Sequence, residues 1–339
     1  MSRLPHIDPT WLDQVPGIAV GVVTPNTVAL QFNGCKAWEP ERETLTSDTL
    51  YDLASLTKVV FTTTVILQLI EEGHLALITR IQSILPEYIH PETTVGDLLT
   101  HQSGLPADDP AYKQCRDAAA LRHFVLSHPL TYTPRTQVVY TDFGFLILGW
   151  VIESIEGPLD EVLNRRIKQR LGLRDLCFRP NDPQRCAPTE RTTHRGLIRG
   201  SVHDGKAHLM GGIAGNAGCF STLNDLCRFA QSFIDEKYSL LSKTTLDLLR
   251  QTHTQGLDHV RTLGWYRHDP SCAFGHRISE DCLFHTGFSG TSIAIDFKRQ
   301  VAVVILTNRV HPLRDNPFIQ PIRNALHDAV FSQFLETCE

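Results

Sequence analysis

The chain has 339 residues, of which 42% are hydrophobic and 20% charged, and a net charge of −5. That is longer than the roughly 250–300 residues at which a single core stops growing, so two structural lobes are expected. The acidic balance offers nucleic acid and anionic membranes no general attraction, and no stretch approaches the roughly 18 apolar residues of a membrane-spanning helix.

The first residues hold Pro5, Asp8, Pro9, Asp13 and Pro16 and no apolar run, so no cleaved leader is read there and a cytoplasmic location is expected. The nine cysteines are odd in number and lack C-x-x-C spacing, which reads as reduced thiols. The sixteen histidines include no H-E-x-x-H, and no metal or cofactor is expected.

Gly17–Val23 and Thr27–Asn33 are β-rich runs joined through Thr24-Pro25-Asn26, the pattern of a hairpin. Ser55–Glu72 follows as a helix with Gly73 as its C′ residue. Helices are then expected at Val95–Gln102, Ala118–Ser127, Phe143–Ile155, Leu159–Arg170, Leu223–Asp235 and Thr244–Gln251, with long loops between them. Leu263–His268, Ser292–Phe297 and Val301–Thr307 return to strand character, and Phe318–Leu335 closes as an amphipathic helix. The implied fold is α/β (α+β), with an antiparallel sheet built from both termini and flanked by helices. Residues 1–75 and 255–339 would form the sheet domain and residues 76–254 an inserted helical one. A site is expected in the cleft between them.

Ser55-Leu56-Thr57-Lys58 opens the first long helix and sets a hydroxyl and an amine three residues apart on one face. Free N–H groups and the positive dipole end at a helix start favour the negative charge that develops on an attacked carbonyl. Ser55 is therefore a candidate nucleophile and Lys58 its partner; the bland alternative is an N-cap serine and a solvated lysine. Tyr140-Thr141-Asp142 sits at a loop-to-helix junction, where a phenol near a cationic lysine can serve as base and then acid. Its alternative is a half-buried aromatic followed by an N-capping aspartate. His285-Thr286-Gly287-Phe288-Ser289-Gly290-Thr291 precedes a strand, and its glycines permit close backbone approach to a ligand. The alternative there is a glycine-rich turn carrying a surface histidine.

Together these segments resemble the penicillin-recognising serine hydrolases: class C β-lactamases, low-molecular-weight penicillin-binding proteins, D-aminopeptidases and family VIII carboxylesterases. The S-x-x-K and K-T-G motifs of that group read here Ser55-Leu56-Thr57-Lys58 and His285-Thr286-Gly287, and Tyr140-Thr141-Asp142 stands where this branch has Tyr-x-Asn. Tyr51–Ala54, Thr94–Pro106 and Gly211–Thr222 also look like family segments, and the likeness covers roughly residues 15–335. The resemblance implies a β-lactamase/transpeptidase-like fold in which Ser55 attacks the carbonyl, Lys58 stabilises or activates it, and Tyr140 shuttles the proton. The N–H groups of Ser55 and Phe288 would hold the oxyanion, while Asp142, His285, Thr286 and Gly287 line the substrate site.

The departures bear on substrate. An ionised Asp142 cannot donate a hydrogen bond, and His285 is largely neutral near pH 7 where relatives carry a lysine. Both changes weaken the case for a carboxylate-bearing lactam. They fit an ester, or a substrate whose amine or hydroxyl faces Asp142; equally, Asp142 could serve only to pair with Lys58 and leave Tyr140 as sole base. His203-Asp204 resembles a loop near the cleft in some relatives and is read as either a substrate contact or a structural pair. The expected function is a serine hydrolase acting through an acyl-enzyme on a small ester, amide or peptide. A carboxylesterase with weak or no β-lactamase activity is the first reading; a D-aminopeptidase or β-lactamase-type peptidase, an acyltransferase and a silent binding protein of the same fold are the alternatives.

Overall fold

The computed structural model describes residues 4–269 and 274–335. Strands from both ends of the chain form one six-stranded antiparallel sheet in the order 43–44, 28–37, 17–23, 301–306, 292–296, 282–286. The hairpin between Gly17–Val23 and Val28–Ala37 closes through Thr24 N–H to the Thr27 carbonyl at 2.9 Å. Every residue of Gly17–Val23 and Val301–Leu306 is buried, because the sheet is covered on both faces. Ile18, Val20, Val22, Val303 and Ile305 pack on the C-terminal helix Ile319–Phe331 through Ile322, Leu326 and Val330. Their alternating neighbours Ala19, Val23, Ala302 and Val304 join the cluster containing Leu223, Leu226 and Phe229 of the Leu223–Gln231 helix.

The helix after Ser55 runs through a π-helical turn at Lys58–Thr63 into Thr64–Glu71, and Lys58 to Leu69 are buried throughout. Such all-round burial marks a helix enclosed between other elements. Thr62 Oγ1 donates to the Gly215 carbonyl at 2.6 Å, and Cys219 N–H donates to Thr57 Oγ1 at 3.1 Å. The Asp142–Glu156 helix crosses the same segment, with Gly149 against Gly215 so closely that a Cβ at 215 would overlap the Phe145 carbonyl oxygen. Strands Tyr51–Asp52, Cys219–Ser221 and Cys177–Phe178 make a small antiparallel sheet that leads the chain into Ser55.

Several local expectations differ from the structure. Leu263–His268 is no strand: Tyr266 makes single bridges to Arg261 and Phe284, and Gly264, at φ +76°, turns the chain against Thr63. Conversely, Cys282–Thr286 is the edge strand of the main sheet, so His285 lies on a strand rather than in a surface turn. The expected Leu159–Arg170 helix contains a π-helical turn at Asn164–Lys168. Among the described residues no helix is long and apolar enough to cross a membrane. Cys35, Cys115, Cys177, Cys186, Cys219 and Cys227 are free thiols; Cys272 and Cys338 lie outside the described residues.

Candidate active site

Ser55 follows a strained step in the chain. Ala54 has φ +46°, a left-handed conformation that costs a residue with a Cβ. It is held by its own N–H, which donates to Asp52 Oδ1 at 2.8 Å, while Asp52 Oδ2 accepts from the His203 N–H at 2.7 Å. The turn after His285 docks on this same stretch. Ser289 Oγ donates to the Asp52 carbonyl at 2.7 Å and Thr291 Oγ1 to that of Leu53 at 3.2 Å. A Cβ at 287 would overlap the Leu53 carbonyl oxygen and Thr291 Oγ1, so only glycine fits there. Neither the Ser55 N–H nor the Phe288 N–H meets a protein acceptor among the described residues, which leaves the two donors for a ligand oxygen.

Lys58 is fully buried and its three ammonium protons are all engaged. They go to Ser55 Oγ at 3.0 Å, Asp142 Oδ1 at 2.7 Å and the Asn216 carbonyl at 3.0 Å. Burial alone would push its pKa down, but the charge and hydrogen bond of Asp142, with those of Tyr140, hold it above the usual lysine value. Lys58 is thus a cation that donates to Ser55 Oγ, and it has no lone pair with which to take a proton. The Tyr140 hydroxyl interacts with both Lys58 and Ser55; burial raises its pKa above the ordinary phenol value, the Lys58 charge offsets this only in part, and the Asp142 charge adds to it. The Tyr140 ring is 5.0 Å from Lys58 Nζ, measured to its centroid.

Asp142 is the first residue of its helix, and Thr141 caps it by accepting the Phe143 N–H at 3.2 Å. Both carboxylate oxygens of Asp142 are used by lysines, Oδ1 by Lys58 and Oδ2 by Lys206 at 3.1 Å. Burial would raise its pKa, but the two ammonium groups bring it to about 2. His285 is also buried, with Nδ1 on the Thr286 carbonyl at 2.9 Å. Burial, then the charges of Arg261 and Lys58, keep its pKa far below the usual histidine value, so it is a neutral imidazole.

Two cavities meet above Ser55 and share Tyr140 and Phe288. One, of about 320 Å³, is walled by Tyr266, His285, Thr286, Gly287, Arg309 and Arg323. The other, of about 290 Å³, is walled by Asp108, Tyr112, Asp142, Asp204, Lys206 and Arg314. Seven of the eight catalytic and substrate-site candidates line this cleft, and the eighth, Lys58, is buried against Ser55 Oγ. His203 and Asp204 do not pair with each other. His203 bonds Glu190 at 2.8 Å and stacks on Phe288, whereas Asp204 caps a short helix and accepts from Asn216 Nδ2 at 3.0 Å. Sequence reasoning missed Lys206, Asn216, Arg309 and Arg323. Asn216 lies within Gly211–Thr222 and Lys206 two residues after the His203-Asp204 pair, and the arginines carried no local signal.

The beta-lactamase family profile matches residues 7–325. A Bacillus subtilis (strain 168) protein named N-acetylmuramyl-L-alanine amidase is 30% identical, over 81% of this chain and 70% of its own length. An Escherichia coli (strain K12) protein, provisionally named D-alanyl-D-alanine carboxypeptidase, is 30% identical over 96% of this chain and 85% of its own. Among solved structures, the hydrolase EstCE1 superposes with a TM-score of 0.78 at 21% identity, covering 95% of this chain and 96% of that one. Simvastatin synthase from Aspergillus terreus gives 0.77 at 20% identity over 96% of both chains. Those two identities speak for the fold alone, whereas the profile spans most of the sequence: the chain belongs to the beta-lactamase family of serine hydrolases.

Proposed function

We propose that the protein hydrolyses small esters or amides through an acyl-enzyme on Ser55. The observation that carries this reading is the saturated Lys58 ammonium, which donates to Ser55 Oγ and leaves Tyr140 as the group able to accept the Ser55 proton. Tyr140 acts in its phenolate form. As Oγ bonds to the substrate carbonyl carbon, the Ser55 proton passes to the phenolate and the carbonyl electron pair moves onto oxygen between the Ser55 and Phe288 N–H groups. Collapse breaks the bond to the leaving group, which takes the proton from Tyr140. Water then repeats the sequence on the ester, and Ser55 is regenerated.

For substrate, the neutral His285 and the lysine-saturated Asp142 support a carboxylesterase with little action on lactams. A second reading has its own support. Arg309 and Arg323 line the cavity beside His285 and donate there to carbonyl oxygens and to Gln320 Oε1. Two arginines bound to neutral acceptors suit a substrate carboxylate, as in a peptide, and the names of the Escherichia coli and Bacillus subtilis relatives point the same way. Transfer to an alcohol in place of water is a variant of the same acyl-enzyme, in line with the description of EstCE1 as having promiscuous acyltransferase activity. The free thiols fit a reducing, cytoplasmic setting.

Comparing kcat/KM for p-nitrophenyl butyrate, a D-alanyl-D-alanine peptide and nitrocefin separates the readings. The ester is expected to lead by more than about tenfold, a difference of roughly 1.4 kcal/mol in transition-state binding. A faster peptide would establish the second reading, and full activity in Ser55→Ala would overturn both.

A further inference from the structure

Arg261 is 2% exposed and stands behind the wall of the cleft formed by Tyr140, Tyr266 and His285. Its guanidinium carbon is 3.6 Å from the Tyr266 ring centroid and 5.4 Å from that of Tyr140. Its backbone is fixed by an N–H to Thr254 Oγ1 at 2.9 Å and by its carbonyl, which accepts from the His253 N–H at 2.8 Å. The side chain, by contrast, is undersupplied. Nε and Nη1 find no acceptor among the described residues, and the nearby Nε2 atoms of His101 and His285 are equally without partners. No carboxylate among the described residues offsets its burial; the groups that favour its charge are the phenol of Tyr266, by its charge and a hydrogen bond, and the phenol of Tyr140 by its charge.

A buried cation without a counter-ion is costly, and proteins ordinarily pair or omit it. Arg261 does not reach the cleft surface, so a substrate anion cannot be its partner. We infer that Arg261 is a positioning residue whose counter-ion is the Tyr140 phenolate, and that its charge makes Tyr140 ionisable in a buried setting. The inference rests on the reading of Tyr140 as proton acceptor given above. An interaction realised only when charge forms on the tyrosine favours the reactive state over the resting one. It also accounts for His285: a lysine there would add a third cation beside Arg261 and Lys58, and a neutral imidazole avoids that.

The charged and titratable groups facing Tyr140 are Lys58 on the buried helix, Asp142 at the start of the helix that follows, His101 from the turn after the Val95–Leu99 helix, His285 on the edge strand, and Arg261 and Tyr266 from the bridge segment. His101 and His285 are both held neutral, chiefly by burial and then by Arg261. Of the remainder, Lys58 and Arg261 favour the phenolate and Asp142 opposes it.

The test is the pH profile of kcat/KM with p-nitrophenyl butyrate. Arg261→Met, an apolar chain of similar length, and Arg261→Gln are independent neutral replacements, so the outcome does not hang on one of them folding. Each is expected to move the acid limb upward by ~1–2 pH units, the scale of one charge a few ångströms away at intermediate dielectric. Arg261→Lys should keep the limb near its wild-type position. In a Tyr140→Phe background the same replacements should cost almost nothing more, since both act through one group. An unmoved limb, or the same fold-loss with and without Tyr140, makes Arg261 a packing residue and overturns the inference alone. Wild-type rates in Tyr140→Phe itself would overturn the functional reading along with it.

Discussion

Lys58 and Asp142 show how two charges define a site's protonation state. Asp142, ahead of Tyr140, keeps Lys58 cationic against its burial. In Asp142→Asn, Tyr140 alone is left to oppose burial, and the Lys58 pKa is expected to fall from its wild-type position. Activity should then drop on the alkaline side at a lower pH than in the wild type, a difference visible in the pH profile. Stability changes in the other direction of pH. The Asp142 carboxyl is depressed to about 2, so its contribution is fully present above the unfolded value of 3.8 and is lost as pH falls through 2. Thermal melts of Asp142→Asn should lack this part of the acid dependence. The nearness of Ser55 and Lys58 was legible at this scale because helix spacing alone brings them together, whereas Tyr140 stood out only through the family resemblance. Lys206 was not, since only the folded loop sets it against Asp142.

Two elements do the positioning: the Tyr51–Ser55 approach and the Gly287–Thr291 turn, bound to each other at the Asp52 and Leu53 carbonyls. Gly287→Ala is expected to push this turn off Leu53 and shift the Phe288 N–H. The loss should be about 10²–10³-fold in kcat, the effect of removing one oxyanion donor, with the fold retained by circular dichroism; an unchanged kcat would show that Phe288 holds no oxyanion. The turn was visible as a glycine pattern, but the strand before it was not. Cys282–Thr286 contains Cys, His and Thr in place of a clean alternation, and its identity as a strand comes from pairing with Ser292–Asp296. Leu263–His268 misled in the opposite sense. Its apolar and aromatic residues suggest a strand, yet Gly264 turns there against the buried helix.

For the whole molecule, a sheet assembled from both termini was readable because strand patterns lie at the two ends of the chain and helical ones between. The sheet order depends on pairings across some 280 residues, such as Val20 with Ile305, which no local pattern contains. The same long-range closure carries His285 and Phe288 to Ser55, and it brings Arg309 and Arg323 to the cleft from a stretch that carried no motif. In this assembly Ser55 is the proposed site of acylation. Peptide mass spectrometry after incubation with a fluorophosphonate tests it most directly: a single adduct on the Ser55 peptide, absent in Ser55→Ala, is the predicted result, and an adduct on Ser103 or Ser289, or none at all on a folded protein, would contradict it.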